Sequence, residues 1–106
     1  MQSPGPPASV VDHFWKAFGG RVHANGIVLA STEELNPNTV KNALELPVSC
    51  KGAPSSAFLF FVDLDPEANW AHACAYVFIA RTGETAWCEA EWPPHVSVTL
   101  KLQARL

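Results

Sequence analysis

AFLFFVDLDP (57–66), EANWAHACAYVFIA (67–80), RTGE (81–84) and TAWCEAEW (85–92) follow one another without a break. The stretch carries three of the four tryptophans and two of the three cysteines of the chain. Its first apolar run alternates Phe58, Phe60, Val62 and Leu64 on one side with Leu59, Phe61, Asp63 and Asp65 on the other. Both sides stay apolar until the last turn of the alternation, which predicts a central strand at 57–65 covered on both faces. Pro66 stops it, and 67–71 is expected to be a loop. The next run, 72–80, puts His72, Cys74, Tyr76 and Phe78 on one face and Ala73, Ala75, Val77 and Ile79 on the other. Thr82-Gly83 is a turn signal, and 85–92 reads as the returning strand, broken by Trp92-Pro93-Pro94.

Upstream, residues 1–8 are rich in proline and glycine and read as a flexible arm before a single domain, 9–106. Ser9 is a candidate N-cap, with Asp12 in the capping-box position. Val10, Val11, Phe14, Trp15 and Phe18 then form a helical stripe that Gly19-Gly20 closes. His13 lies off that stripe and is expected to be solvated. RVHANGIVLA (21–30) carries Asn25-Gly26 between two short β-prone runs, a type I′ hairpin signal that sets His23 opposite Val28. Asn36-Pro37 is a helix start, giving a short second helix over 37–44. Residues 47–56 form a loop that holds Cys50 as a bystander. From Val96 to Ala104, alternate residues are apolar, the pattern of a half-buried strand suited to an edge.

These elements give an α+β fold: a curved antiparallel sheet of about five to six strands, packed by an N-terminal helix and one short second helix. The order is similar to that of cystatin-like or protease-propeptide folds. YVFIARTGETAW (76–87) resembles the strand–Thr-Gly–strand of propeptide-type domains. Neither likeness implies a function here.

Size and composition narrow the rest. At 106 residues the chain is one domain. Folding at that length removes roughly 65% of the unfolded chain's surface. Apolar residues are 48% of the chain and charged residues 16%, which excludes a disordered chain. The net charge is −3, and the seven Lys and Arg are scattered singly, so no basic stripe exists for nucleic acid. No run reaches the ~18 apolar residues of a membrane span. The N-terminus lacks the basic and apolar regions of a secretory leader. With an odd cysteine count, that predicts reduced thiols and a cytoplasmic setting. A chain cut from a secreted precursor would instead allow Cys74 and Cys88 to pair.

No nucleotide, cofactor or catalytic motif stands out. The expectation is a non-enzymatic binding or regulatory module. It would dock a partner protein, or a second copy of itself, through an aromatic loop surface or a free sheet edge. Trp70, Trp87, Trp92, Asp65 and His72 would form that surface. A runner-up uses His72, Cys74 and Asp65 to hold zinc, since imidazole, thiolate and carboxylate suit that metal. The same residue types could serve a thiol nucleophile. A two-residue Thr-Gly turn pairs Cys88 with Val77 and turns it away from Cys74, which weakens a shared site; a bulge would restore it. A pocket for an apolar ligand between helix and sheet is the third reading.

Overall fold

A computed structural model describes residues 5–22, 26–67 and 72–105. Helix α1 (Ala8–Phe18) runs into a 3-10 turn at Gly19–Arg21. Strands β1 (Ile27–Ser31), β2 (Phe58–Asp63), β3 (Cys74–Ile79), β4 (Thr85–Ala90) and β5 (Leu100–Arg105) follow. They form one five-stranded sheet in the order β4-β3-β2-β1-β5, with every pairing antiparallel. The fold is α+β with a curved, unclosed sheet. Among the described residues no helix is long and apolar enough to cross a membrane.

The alternation in β2 and β3 sorts side chains onto two covered faces. Phe58, Phe60, Val62, Ala75, Val77 and Ile79 meet Val10, Phe14 and Phe18 of α1 in one buried cluster. Phe14 stacks on Phe60 with ring centroids 4.5 Å apart. Leu59, Phe61, Cys74, Tyr76 and Phe78 face the other way and are covered by Val40, Val48, Val98 and their neighbours. A burial of about 1.5–3 kcal/mol for each large side chain makes β2 and β3 the centre of stability. Among the described residues, the one buried polar residue, Ser31, is satisfied twice. Its hydroxyl donates to the Glu33 carbonyl at 2.8 Å and accepts from the Leu59 N–H at 2.9 Å.

Several local expectations are corrected. The helix starts at Ala8 with Pro7 as its N-cap and no side-chain cap, so Ser9 and Asp12 form no capping box. The extended Pro7 backbone already breaks the helix, and Ser9 falls inside the first turn. His13 is not free in solvent. A Cβ added to Gly83 would lie 3.0 Å from its ring, so His13 packs on the β3–β4 loop. The 21–30 hairpin does not form, because both edges of β1 are taken by β2 and β5 and Arg21 belongs to a 3-10 turn. His23 and Asn25 lie outside the described residues. The second helix is only a 3-10 turn, Pro37–Thr39. Asn36 caps it as expected, accepting from the Asn38 N–H. Asn42 then draws the chain into a tight turn, its side chain accepting from Leu44 and Leu46 N–H at 2.8 and 3.2 Å. Those side-chain bonds compete with helical ones. The last strand begins at Leu100, and Val96 is exposed in the turn before it.

The β3–β4 loop has three residues, not two. Ala80 donates to the Glu84 carbonyl, and Gly83, at φ +96°, donates to the Ala80 carbonyl. This is the longer hairpin connection in which glycine takes the left-handed position. It shifts the register by one, pairing Tyr76 with Cys88 and Val77 with Trp87. Cys88 therefore shares the face of Cys74, and Trp87 shares the face of α1.

Candidate functional site

The register decides what each candidate residue can do. Cys88, turned to the face away from α1, bonds to Cys50, with Cα atoms 5.3 Å apart. This corrects both the bystander reading of Cys50 and the expectation of three reduced thiols. Cys74 is the free cysteine and is buried. Its thiol donates to the Trp92 carbonyl at 3.6 Å, which also accepts from the Tyr76 hydroxyl at 2.7 Å. Burial, and then the nearby Asp63 and Glu91 carboxylates, push the Cys74 thiol up to about 12. Burial, with Cys74 beside it, also pushes the Tyr76 hydroxyl up. A thiol held protonated and turned onto a carbonyl is a weak nucleophile at neutral pH.

His72 stands at the mouth of β3 and bonds through Nε2 to Asp63 Oδ1 at 2.9 Å. The two side chains are 9% and 13% exposed. Asp63 Oδ1 also accepts from the Asp65 N–H at 3.0 Å, which shapes the bend after β2. Of the two carboxylates at the end of β2 that could accompany His72, Asp63 is the one that meets it, not Asp65. Strand alternation alone could not show that, because His72 lies outside β3. Among the described residues, no three His, Cys, Asp or Glu side chains come together to hold a metal ion. An open groove of about 370 Å³ runs past His72, Ala73, Cys74, Glu89 and Glu91.

The aromatic candidates separate. Trp70 lies outside the described residues. Trp92 is half-buried, and its carbonyl is committed to Tyr76 and Cys74. Trp87 is 37% exposed in the middle of β4, edge-on to Phe18 at 5.1 Å and beneath the Arg21 guanidinium at 4.9 Å. Beside it opens a groove of about 320 Å³ lined by Phe18, Gly20, Arg21, Leu64, Ala75, Trp87 and Glu89. The groove exists because α1 ends at Phe18 and leaves the sheet uncovered beyond. Between helix and sheet proper, Val10, Phe14 and Phe18 fill the space where an apolar ligand would have to enter.

The two sheet edges differ. On β5 the register with β1 shifts between Val28 and Leu29, which leaves Gln103 unpaired. Lys101 is exposed on the same strand. A bulge and a lysine are the usual means of blocking an edge. Leu102 is exposed there, but the bulge that follows it breaks the ladder. On β4 the register runs unshifted from Thr85 to Ala90, with no proline, no lysine and, among the described residues, no second neighbour strand. Because Ala80 and Glu84 form a bonded pair, the antiparallel alternation turns the backbone N–H and C=O of Thr85, Trp87 and Glu89 outward.

Comparison with known proteins finds no matching family model, no matching curated protein and no matching solved structure.

Proposed function

We propose that the chain is a non-enzymatic binding module that takes an extended segment of a partner protein onto the free edge of β4, with Trp87 as its anchor. The observation that carries this reading is the asymmetry of the edges: β5 is bulged and lysine-bearing, whereas β4 is regular and open. Strand addition draws affinity from outward backbone groups and specificity from pockets beside them. Thr85, Trp87 and Glu89 supply the first, and the groove under Trp87 supplies the second. Tryptophan at the centre of a contact is the residue type that most often dominates its energy. The Cys50–Cys88 bond ties the middle of β4 to the loop below it and supports an oxidising setting over the reduced cytoplasmic one expected from the sequence. The buried, protonated Cys74 thiol counts against thiol chemistry.

The test is selection of peptides from a random display library, followed by two variants. Thr85→Pro removes an outward N–H and fills the edge without touching the β3–β4 ladder. Trp87→Ala removes the anchor. Selected peptides should lose binding to Thr85→Pro and bind Trp87→Ala at least about tenfold more weakly. Peptides that bind the proline variant as well as the wild type would refute docking at this edge.

A further inference from the structure

Resting on strand docking at β4, the charges around that edge point to a partner segment of a particular chemistry. We infer that the occupant is a basic strand, with Lys or Arg two residues before a large apolar side chain. From Thr82 to Leu100 the chain has no Lys or Arg, but it has Glu84, Glu89 and Glu91. The strands β2 and β4 run the same way, so Asp63, Asp65 and Glu67 gather at the end of the sheet where Glu89 and Glu91 lie. His72 is bonded to Asp63, and Arg21 is spread over the Trp87 indole. Arg81, at the opposite end, is paired with Glu34. Near Glu89 carboxylates therefore outnumber cations, although Arg21 keeps its charge and lines the same groove.

The spacing follows from the ladder. Trp87 and Glu89 project on one face, two residues apart, and Glu89 lines both the groove under Trp87 and the groove past His72. In an antiparallel partner, as throughout this sheet, the residue opposite Glu89 precedes the residue opposite Trp87 by two. An apolar side chain facing Trp87 enters the groove floored by Phe18, Leu64 and Ala75. The residue two before it meets Glu89, where opposite charge is favourable and like charge is not. A second copy of this chain fits less well. Paired about Trp87, two β4 strands would set Glu89 against Thr85 and bring Glu84, Glu89 and Glu91 of both copies to one seam without a lysine or arginine of β4 between them.

The probe is the peptide Thr-Val-Lys-Thr-Phe-Thr-Val amide, compared with a form bearing Glu in place of Lys. Binding is read by the change in the protein's tryptophan fluorescence, with Trp87→Phe as the control for the signal of that residue, and by calorimetry at low and high salt. The Lys peptide should bind at least about tenfold more tightly than the Glu peptide at low salt, and the gap should narrow in high salt. Glu89→Lys should reverse the order, and Thr85→Pro should abolish binding of both. If the two peptides bind equally and Thr85→Pro removes both, strand docking stands and the basic-partner inference falls. If neither peptide binds and display yields no edge-dependent ligand, docking itself fails. A dimer seen by sedimentation that Thr85→Pro dissociates would give the edge to a second copy and overturn the inference.

Discussion

Removing the Cys50–Cys88 bond, by reduction or by Cys50→Ala with Cys88→Ala, is expected to lower stability by about 4 kcal/mol. The magnitude comes from the 38-residue separation of the two cysteines. Closing a loop of that size removes roughly 13 cal/mol/K of unfolded-chain entropy, or about 4 kcal/mol at 25 °C. A chain of 106 residues unfolds with roughly 0.22 kcal/mol/K of entropy near its midpoint, at about 2.1 cal/mol/K per residue. The expected fall in Tm is therefore roughly 17 °C. The assay is thermal unfolding followed by circular dichroism, with and without a phosphine reductant, and thiol counting at each point. The double-alanine variant should match the reduced wild type and be insensitive to the reductant. A shift under about 3 °C with the bond demonstrably broken would refute the chain-entropy argument. Finding Cys50 and Cys88 unlinked in air-oxidised, folded protein would refute the pairing itself.

Cys74 should resist alkylation at pH 8 in the native protein and react once denatured, because burial keeps its thiol protonated. The same shift sets a pH dependence. With the thiol raised from 9.0 to about 12 in the fold, its contribution to stability is fully present below pH 9 and is lost as pH climbs toward 12. The loss approaches about 1.4 kcal/mol per pH unit. Urea titrations between pH 9 and 10, below the range in which the buried Tyr76 hydroxyl adds a loss of its own, should find it in the wild type and not in Cys74→Ala. Ser31→Ala orphans the buried Leu59 N–H and should cost about 1–3 kcal/mol by urea unfolding; a neutral result would mean that another acceptor reaches it. Gly83→Ala meets both a left-handed φ and the His13 ring at 3.0 Å, and should cost about 1–2 kcal/mol. Adding His13→Ala should recover only the part due to the clash.

What the sequence made legible was set by how far the deciding forces reach. Phe58 to Val62 and Cys74 to Ile79 are apolar on both faces, and that pattern alone places them at the sheet's centre under a helix. The α1 stripe of Val10, Phe14 and Phe18 was equally plain. The misses lie where one local bond chooses between close alternatives. Asn42 has the donors and acceptors for a helix or a turn, and its two bonds to Leu44 and Leu46 select the turn. Asn25-Gly26 is a hairpin signal, yet β1 found both of its neighbours far along the chain. The largest consequence came from one residue in the β3–β4 loop. Counting it as two residues sent Cys88 away from Cys74 and hid its partner Cys50, while the three-residue loop with Gly83 brings it back. Trp87 was named from residue type alone. Its position on an open edge, beside a groove left by the end of α1, depends on strand order, which no local pattern encodes.

Several residues behind β4 help to hold that edge in place. Cys88 is the central residue of β4 on the face opposite Trp87, and its bond to Cys50 anchors the strand from below. Tyr76 and Cys74, on the neighbouring β3, both donate to the carbonyl of Trp92, just past the end of β4. His13 bears on Gly83 at the start of the same hairpin. An edge strand would ordinarily fray, and a partner would then have to order it at a cost in affinity. Here the strand is fixed at both ends and in the middle. Tyr76→Phe should therefore do more than remove one hydrogen bond worth about 1 kcal/mol. It should raise amide exchange at Ala86, Cys88 and Ala90, whose N–H groups face β3, while leaving β1 and β2 protected. Unchanged exchange along β4, with the predicted loss of global stability, would show that the Trp92 carbonyl braces the core and not the edge.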